Sequence, residues 1–547
     1  MPFLCASLAL IGWTDEISAM LHANSVFLQQ YSPATITIAL IAVFITMFSF
    51  FNMFVSSVFC YLFNDVVPPQ FLARFTGAFR IVGVGASTLY TYFIYGYAES
   101  NMREIFLSAA VLYFIGFGMM CLMVKEGKYP PTDNVKTEKK PKMLDEVKTF
   151  FRESFSHKIY WLLFSFTAVG AAGGAIGTFT VFFYKNSMGL DLLQIGKMFA
   201  ACGVASLLAA YFASIYVDRW HPLRVITYLS VFGVTGAFMS GVWVFVTLPA
   251  NYFFWLSLGS GVISAFLGAF TIAGSMPLFY KMFPQSRFGQ FCSAQSILVS
   301  FIGLGTGVSA GLYLDIVQYF CNDANFAYRF IFLWSTAFSV LYAVIIILIY
   351  KIWYRLGGDH HFHPPAPWNP DGVEHSQVVP TIGPQSRWLN ISFRLFNAVM
   401  AVSTIGILPL MFWMYFKHTM VAFSWHAWLL LPLSMIAWLY WKYVEKNIQR
   451  DIEKSRRNEP LKNGIPHHGV FIIVASDFLL VLGLWFVQVV VAVNLNMDFA
   501  AIIFTVANVI TNFMLIGSVQ LLCRIERGFS TKIDEIFSAA SWEANPK

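Results

Sequence analysis

Seven polar side chains stand inside long apolar runs: Asn52, Ser56, Arg80, Thr178, Thr271, Ser275 and Gln295. An amide, hydroxyl or guanidinium held away from water costs free energy unless a polar group meets it. Such residues therefore mark where a helix contacts a polar solute or a polar neighbour. Hydrogen bonding to a small molecule is the chemistry they could do. The plainer readings are that Thr178, Thr271 and Ser275 bond their own backbone and that Arg80 snorkels to the membrane surface. A second set is charged and lies at the ends of the same runs: Asp218 and Arg219 with Arg224, Asp65 with Arg74, and Arg287. Carboxylates and guanidiniums at helix ends can form charge-assisted hydrogen bonds with one another. A solvated turn is the competing reading for Asp218 and Arg219.

No catalytic constellation accompanies them. There is no P-loop, no HExxH and no Gly-x-Ser-x-Gly, and no charged cluster of the kind a membrane-embedded transferase needs, so an enzyme is not expected. His360, His361, His363 and His375 with Asp359 carry ligands suited to zinc or nickel. Their Pro-rich flanks favour a mobile loop and no further residue is placed to orient the rings, so neither a metal nor a cofactor is expected. The seven cysteines show no disulfide framework or metal spacing.

The elements that position these residues are helices that cross a bilayer. Hydrophobic residues make up 58% of the chain, charged ones only 12%, and Phe accounts for 57 of 547 positions. A water-soluble fold has no interior large enough for that much apolar surface. A helix rises about 1.5 Å per residue and the hydrocarbon is about 30 Å thick, so a span needs roughly 20 apolar residues. Spans are expected at 35–63, 79–97, 105–124, 159–184, 193–217, 225–247, 252–280, 290–314, 329–350, 391–416, 425–443, 469–493 and 499–522, with half a helix from Pro2 to Trp13. The expected organisation is an incomplete N-terminal bundle (1–124), a linker with an amphipathic helix (125–158) and a six-helix bundle (159–352). A Pro/His-rich linker (353–390), an appended four-helix module (391–523) and a tail (524–547) follow. The amphipathic helix could lie on the inner leaflet or pack beneath the protein's own helix ends.

With residues 125–158 placed in the cytoplasm, Arg103, Lys185, Lys197, Arg329 and Lys417 are the only basic residues near the opposite face, leaving 30 of 35 at the cytoplasmic side. The net charge of +7 is thus an inner-face signature and not evidence for nucleic acid. The C-terminus is expected in the cytoplasm. Gly170, Gly173, Gly174 and Gly177 in one span, and Gly303, Gly305, Gly307 and Gly311 in another, are expected mainly to allow close helix packing, with gating flexibility second.

Two loops repeat a pattern. Pro68-Pro69-Gln70 leads to Arg74-Phe75-Thr76-Gly77, and Pro284-Gln285 leads to Arg287-Phe288-Gly289, each before a span. Such correspondence between halves is a transporter trait. At Tyr216-Val217-Asp218-Arg219-Trp220-His221-Pro222-Leu223-Arg224 the chain resembles the major facilitator superfamily, whose loop here carries a Gly-x-x-x-Asp-Arg-x-Gly-Arg-type motif. Ser214 stands for the first glycine and His221-Pro222 for the later Gly-Arg pair. The resemblance covers residues 1–350. It implies an all-α fold of two six-helix bundles that rock about a central solute path, with Asp218, Arg219 and Arg224 as a cytoplasmic latch. It also implies that helices one and two of the first bundle are missing and that the last four spans are additional. The expected activity is secondary transport of a small solute, most like the sugar:cation symporters, in a bacterial inner membrane. The coupling cation stays open between proton, sodium and none. A non-transporting scaffold or sensor derived from a truncated transporter is the alternative.

Overall fold

The computed structural model describes residues 2–66, 72–123, 143–219, 221–358 and 362–374, several positions between 435 and 495, and residues 498–543. Among these, the backbone is helical almost throughout, and the only strand-like pairing is an isolated bridge between Pro365 and Val373. The helices are α1 (Pro2–Gly12), α2 (Thr14–Asn24), α3 (Pro33–Val66), α4 (Leu72–Phe93), α5 (Met102–Met123), α6 (Met143–Ser154), α7 (Lys158–Ala175) and α8 (Thr180–Phe182). There follow α9 (Leu192–Arg219), α10 (Pro222–Ser240), α11 (Ala250–Met282), α12 (Phe288–Cys321), α13 (Ala324–Ala327), α14 (Ile331–Arg355) and α15 (Asp498–Glu543).

Nine of the described helical stretches are long and apolar enough to cross a membrane, six of them between Lys158 and Arg355. The expected half-helix is α1, which bends by 77° into α2; the two together are long and apolar enough for one broken span. The span expected at 499–522 belongs to a helix that runs on to Glu543. The expected spans 391–416, 425–443 and 469–493 lie almost wholly outside the described residues.

Local chemistry fixes the ends. His157 caps α7 by accepting from the Ile159 amide at 3.3 Å, and His221 caps α10 in the same way through Leu223, with Pro222 at the first helical position. Asn322 takes the left-handed conformation, φ 53°, that closes α12.

In the first helical group α1 packs on α3 and α5, and α2 on α3. Its core is small: Leu4, Cys5 and Ala110, with Phe48, Phe51 and Tyr113 against them. Most of the described apolar side chains of α3 and α5 are exposed. The second group is denser, with α14 against α7 and α10, α12 against α7, and α9 against α11. One aromatic core, around Tyr160, Phe164, Phe283, Phe291 and Trp353, fills its basic end. Another, around Phe183, Phe253 and Phe504, fills the far end. Helix α15 lies along α10 and α14, so part of the expected appended module is built into the second group. On the buried side of α15, Asn512 Nδ2 donates to Asn508 Oδ1 at 2.9 Å.

Candidate functional site

Helix α4, which follows α3 in the chain, makes its main contact with α9 of the second group, along a seam. Small residues bring the backbones together. A β-carbon on Gly196 would stand 2.6 Å from the Thr91 carbonyl oxygen, one on Gly96 3.2 Å from Leu193, and one on Gly203 would run into the Thr88 side chain. The Thr88 hydroxyl donates to Val84 O at 2.8 Å and that of Thr91 to Ser87 O at 3.0 Å, so neither leaves a polar group unmet at the seam. Beyond it, the Glu99 carboxylate meets the Lys185 ammonium at 2.5 Å, an ion pair across the two groups at the face away from the basic linkers. Nearer the basic face, Gly83 and Gly85 meet nothing within 4 Å, and Val82, Leu208 and Phe212 are exposed.

A second irregularity lies beside it. After Ala175, α7 tightens into a 3-10 turn over Ile176–Phe179, and after α8 it widens into a π segment over Phe183–Ser187. The cause is visible. Trp334 of α14 donates its indole N–H to the Ala172 carbonyl at 3.1 Å, the acceptor that an unbroken helix would offer to Ile176. Below this point α7 presses on α14, a β-carbon on Gly173 falling 3.0 Å from Phe338. At Gly177 nothing stands within 4 Å. Mid-span changes of helix type of this kind often mark hinges. In α11, Pro277 lacks the N–H that the Ala273 carbonyl would otherwise receive.

The in-span polar residues divide accordingly. Asn52, half-buried in α3, accepts from the Tyr113 hydroxyl of α5 at 3.0 Å. Thr178 is exposed in the 3-10 turn and bonds Ala175 O at 3.1 Å; Ser275 bonds Ile272 O at 2.8 Å. Thr271 on α11 and Gln295 on α12 are half-buried. Among the described residues nothing stands within 4 Å of the β-carbon position at Gly303, Gly305, Gly307 or Gly311, in contrast to the close packing expected of them. Ser56 and Asp65 lie on α3, Arg74 and Arg80 on α4, and Asp218 and Arg219 on the last turn of α9; their side chains are outside those described.

Arg224 is buried in the first turn of α10 and donates to the hydroxyls of Tyr350 and Tyr354, both at 3.1 Å. These bonds tie α10 to α14. Beside it, burial together with the Lys281 and Arg224 charges holds His221 well below the usual histidine range, so the ring is neutral and free to cap α10. Arg287 has different partners: it pairs with Glu153 of α6 and stacks 4.7 Å over the Trp368 ring. Next to it, the Glu374 carboxylate accepts from the Ser286 amide and hydroxyl, both at 2.8 Å. Tyr160 donates to Pro365 O at 2.6 Å. The loop before α12 is thus held by both linkers that flank the second group.

Glu153, Lys185, Trp334 and Glu374 did not stand out in the sequence. Each acts through a partner 80 or more positions away, and no local spacing announces such a pairing.

Residues 17–258 match the family profile described as Major Facilitator Superfamily. No curated protein matches the chain. Among solved structures the chain is similar to a bacterial homologue of the iron transporter ferroportin in its outward-facing state, at 18% identity over 64% of this chain and 82% of that one, with a TM-score of 0.41. The chain is an all-α, multi-pass membrane protein whose residues 17–258, from α2 into α11, are similar to the Major Facilitator Superfamily.

Proposed function

We propose that the chain is a secondary active transporter that moves a small, neutral, hydroxyl-rich solute of the sugar class by alternating access, as the two helical groups rock about the α4–α9 seam. The observation that carries this reading is the seam itself. It combines glycine-mediated contact with an ion pair, Glu99–Lys185, that links the groups at one face and can break without unfolding either. The α7 break supplies the second requirement, a helix able to bend beside the path.

In this reading Asp218 and Arg219, with Asp65 and Arg74, form the corresponding lock at the cytoplasmic mouth, while Arg224 and Arg287 fix the helices that bear on it. Asn52, Ser56, Arg80, Thr178, Thr271, Ser275 and Gln295 border the path. Six of the seven carry an amide or a hydroxyl, and these suit a solute that exchanges hydrogen bonds and carries no charge. A proton or sodium gradient drives accumulation across a bacterial-type inner membrane, with the C-terminus in the cytoplasm.

The test is uptake into proteoliposomes of a panel of labelled sugars and polyols under an imposed proton or sodium gradient. Accumulation above protein-free vesicles is expected for at least one solute, with a several-fold lower rate for Glu99→Gln and for Asp218→Asn. No accumulation of any solute under either gradient would overturn the transport reading. Equal rates for wild type and Asp218→Asn would remove the cytoplasmic lock alone.

A further inference from the structure

Helix α6 has two edges with different tasks. One is bolted to the second group: Gln290 donates to the Phe150 carbonyl at 3.4 Å, to Glu153 at 3.2 Å and to Ser154 at 3.3 Å, and Glu153 also pairs with Arg287. The other edge has no protein against it among the described residues. Val147 is 44% exposed and Phe151 48%, and the apolar strip continues onto the first turn of α7, where Trp161 is 50% exposed. Ring contacts make the strip continuous: Phe151 stacks on Phe155 at 5.9 Å, and Phe155 lies 4.5 Å from Trp161.

Charge follows the same division. At about 100° per residue, Val147, Phe151 and Phe155 fall within one arc of the helix. Lys148 and Arg152 occupy the next arc, on the flank turned from the bundle, and both are exposed. Among the described residues neither lies within ion-pair distance of a carboxylate. The acidic Glu146 and Glu153 fall on the bolted side, while the exposed Asp145 lies on the basic flank next to Arg152, leaving that flank a net single positive charge. Trp161 sits one turn inside the start of a span, the depth at which headgroups lie, so the strip and its basic flank share that depth.

We propose that the outer edge of α6, with Trp161, is a binding surface for anionic phospholipid headgroups of the inner leaflet: Val147 and Phe151 enter the acyl boundary, and Lys148 and Arg152 meet headgroup phosphates. This is independent of the transport reading, since it concerns what holds the linker helix and not what crosses the membrane. Because the helix is also fastened to the loop before α12, lipid composition bears on that loop through α6.

The test uses the full chain in nanodiscs of zwitterionic lipid, with and without added phosphatidylglycerol. A nitroxide is placed through p-acetylphenylalanine at position 151, or at position 149 as a control. The label at 151 is expected to be reached by oxygen and shielded from a water-soluble nickel chelate, more strongly with phosphatidylglycerol; the label at 149 is expected to be reached by the chelate. Chelate access at 151 equal to that at 149 would overturn the proposal, as would shielding from both reagents, which means protein covers the strip. A second measurement needs no label: phosphatidylglycerol retained in native mass spectra should fall about fivefold for each charge removed in Lys148→Gln and Arg152→Gln. Equal retention by wild type and the double variant would also overturn it.

Discussion

The most direct perturbation of the seam is a methyl group at Gly196 and Gly203. The Gly196 β-carbon would lie 2.6 Å from a backbone oxygen, whereas ordinary contacts begin near 3.4 Å, so α4 and α9 must part by about 0.8 Å there. Thr91 O belongs to the main chain and cannot rotate aside. At Gly203 the obstacle is the Thr88 side chain, which can turn only by giving up its bond to Val84 O. Overpacking of this kind costs about 1–3 kcal/mol per site. The two glycines are seven residues apart, two turns of one helix face, so their effects act on the same closure. A combined cost of about 2–6 kcal/mol, with tenfold for each 1.4 kcal/mol, shifts the closed form by about 30-fold or more toward separation. The assay is cross-linking between Glu99→Cys and Lys185→Cys by a short bifunctional thiol reagent, in a chain otherwise free of cysteine and held in nanodiscs. Gly196→Ala with Gly203→Ala should lower the cross-linking rate at least tenfold. Gly83→Ala, on the same α4 but with nothing within 4 Å, should leave it unchanged. Wild-type cross-linking by a double variant that elutes like the parent would refute the idea that these glycines set the approach of the two groups.

Two further outcomes follow from the geometry. Trp334→Phe returns the Ala172 carbonyl to Ile176; replacing about 120° per residue by about 100° through Ile176–Thr178 turns Thr178 by about 60°. Labelling of Thr178→Cys by a membrane-impermeant maleimide should then slow several-fold. Equal labelling with and without Trp334 refutes the brace, and no labelling in either removes Thr178 from a water-reached path. For His221, the folded-state pKa is depressed, so the unfolded chain binds the proton first and stability falls with pH once pH drops below about 6.5, by at most about 1.4 kcal/mol per pH unit. His221→Asn keeps a cap and removes the titration. Thermal unfolding in nanodiscs at about pH 7.5 and about pH 5 should show a smaller acid loss for the variant than for wild type, and equal losses would refute the assignment.

The spans were legible because hydrocarbon thickness imposes a minimum apolar length that few other structures need. The run expected at 193–217 emerges as Leu192–Arg219, and that expected at 252–280 as Ala250–Met282. What the sequence could not supply was partnership. Gly170, Gly173 and Gly177 look alike as letters, yet the first two press on Tyr342 and Phe338 while the third lies within the 3-10 turn, beside the Ala172 carbonyl that Trp334 engages from far along the chain. Arg287 stood out as a charge at a helix end; that its carboxylate comes from the linker helix, and its aromatic cover from residue 368, depends on how two linkers fold back. For α6 the sequence left two placements open, on lipid or beneath the protein. The geometry gives its Glu153 edge to the protein and leaves the Phe151 edge outward.

The uneven burial of the two helical groups has a practical consequence for anyone isolating the molecule. Because α3 and α5 meet little besides their surroundings, their cohesion depends on the solvent that replaces the bilayer, whereas the second group carries its own aromatic interior. Short-chain, delipidating detergents should loosen the amino-terminal third first, so a preparation could look folded by helicity while its seam had already come apart. Polymer-bounded extraction that keeps a ring of native lipid is the natural starting material for every measurement on that third.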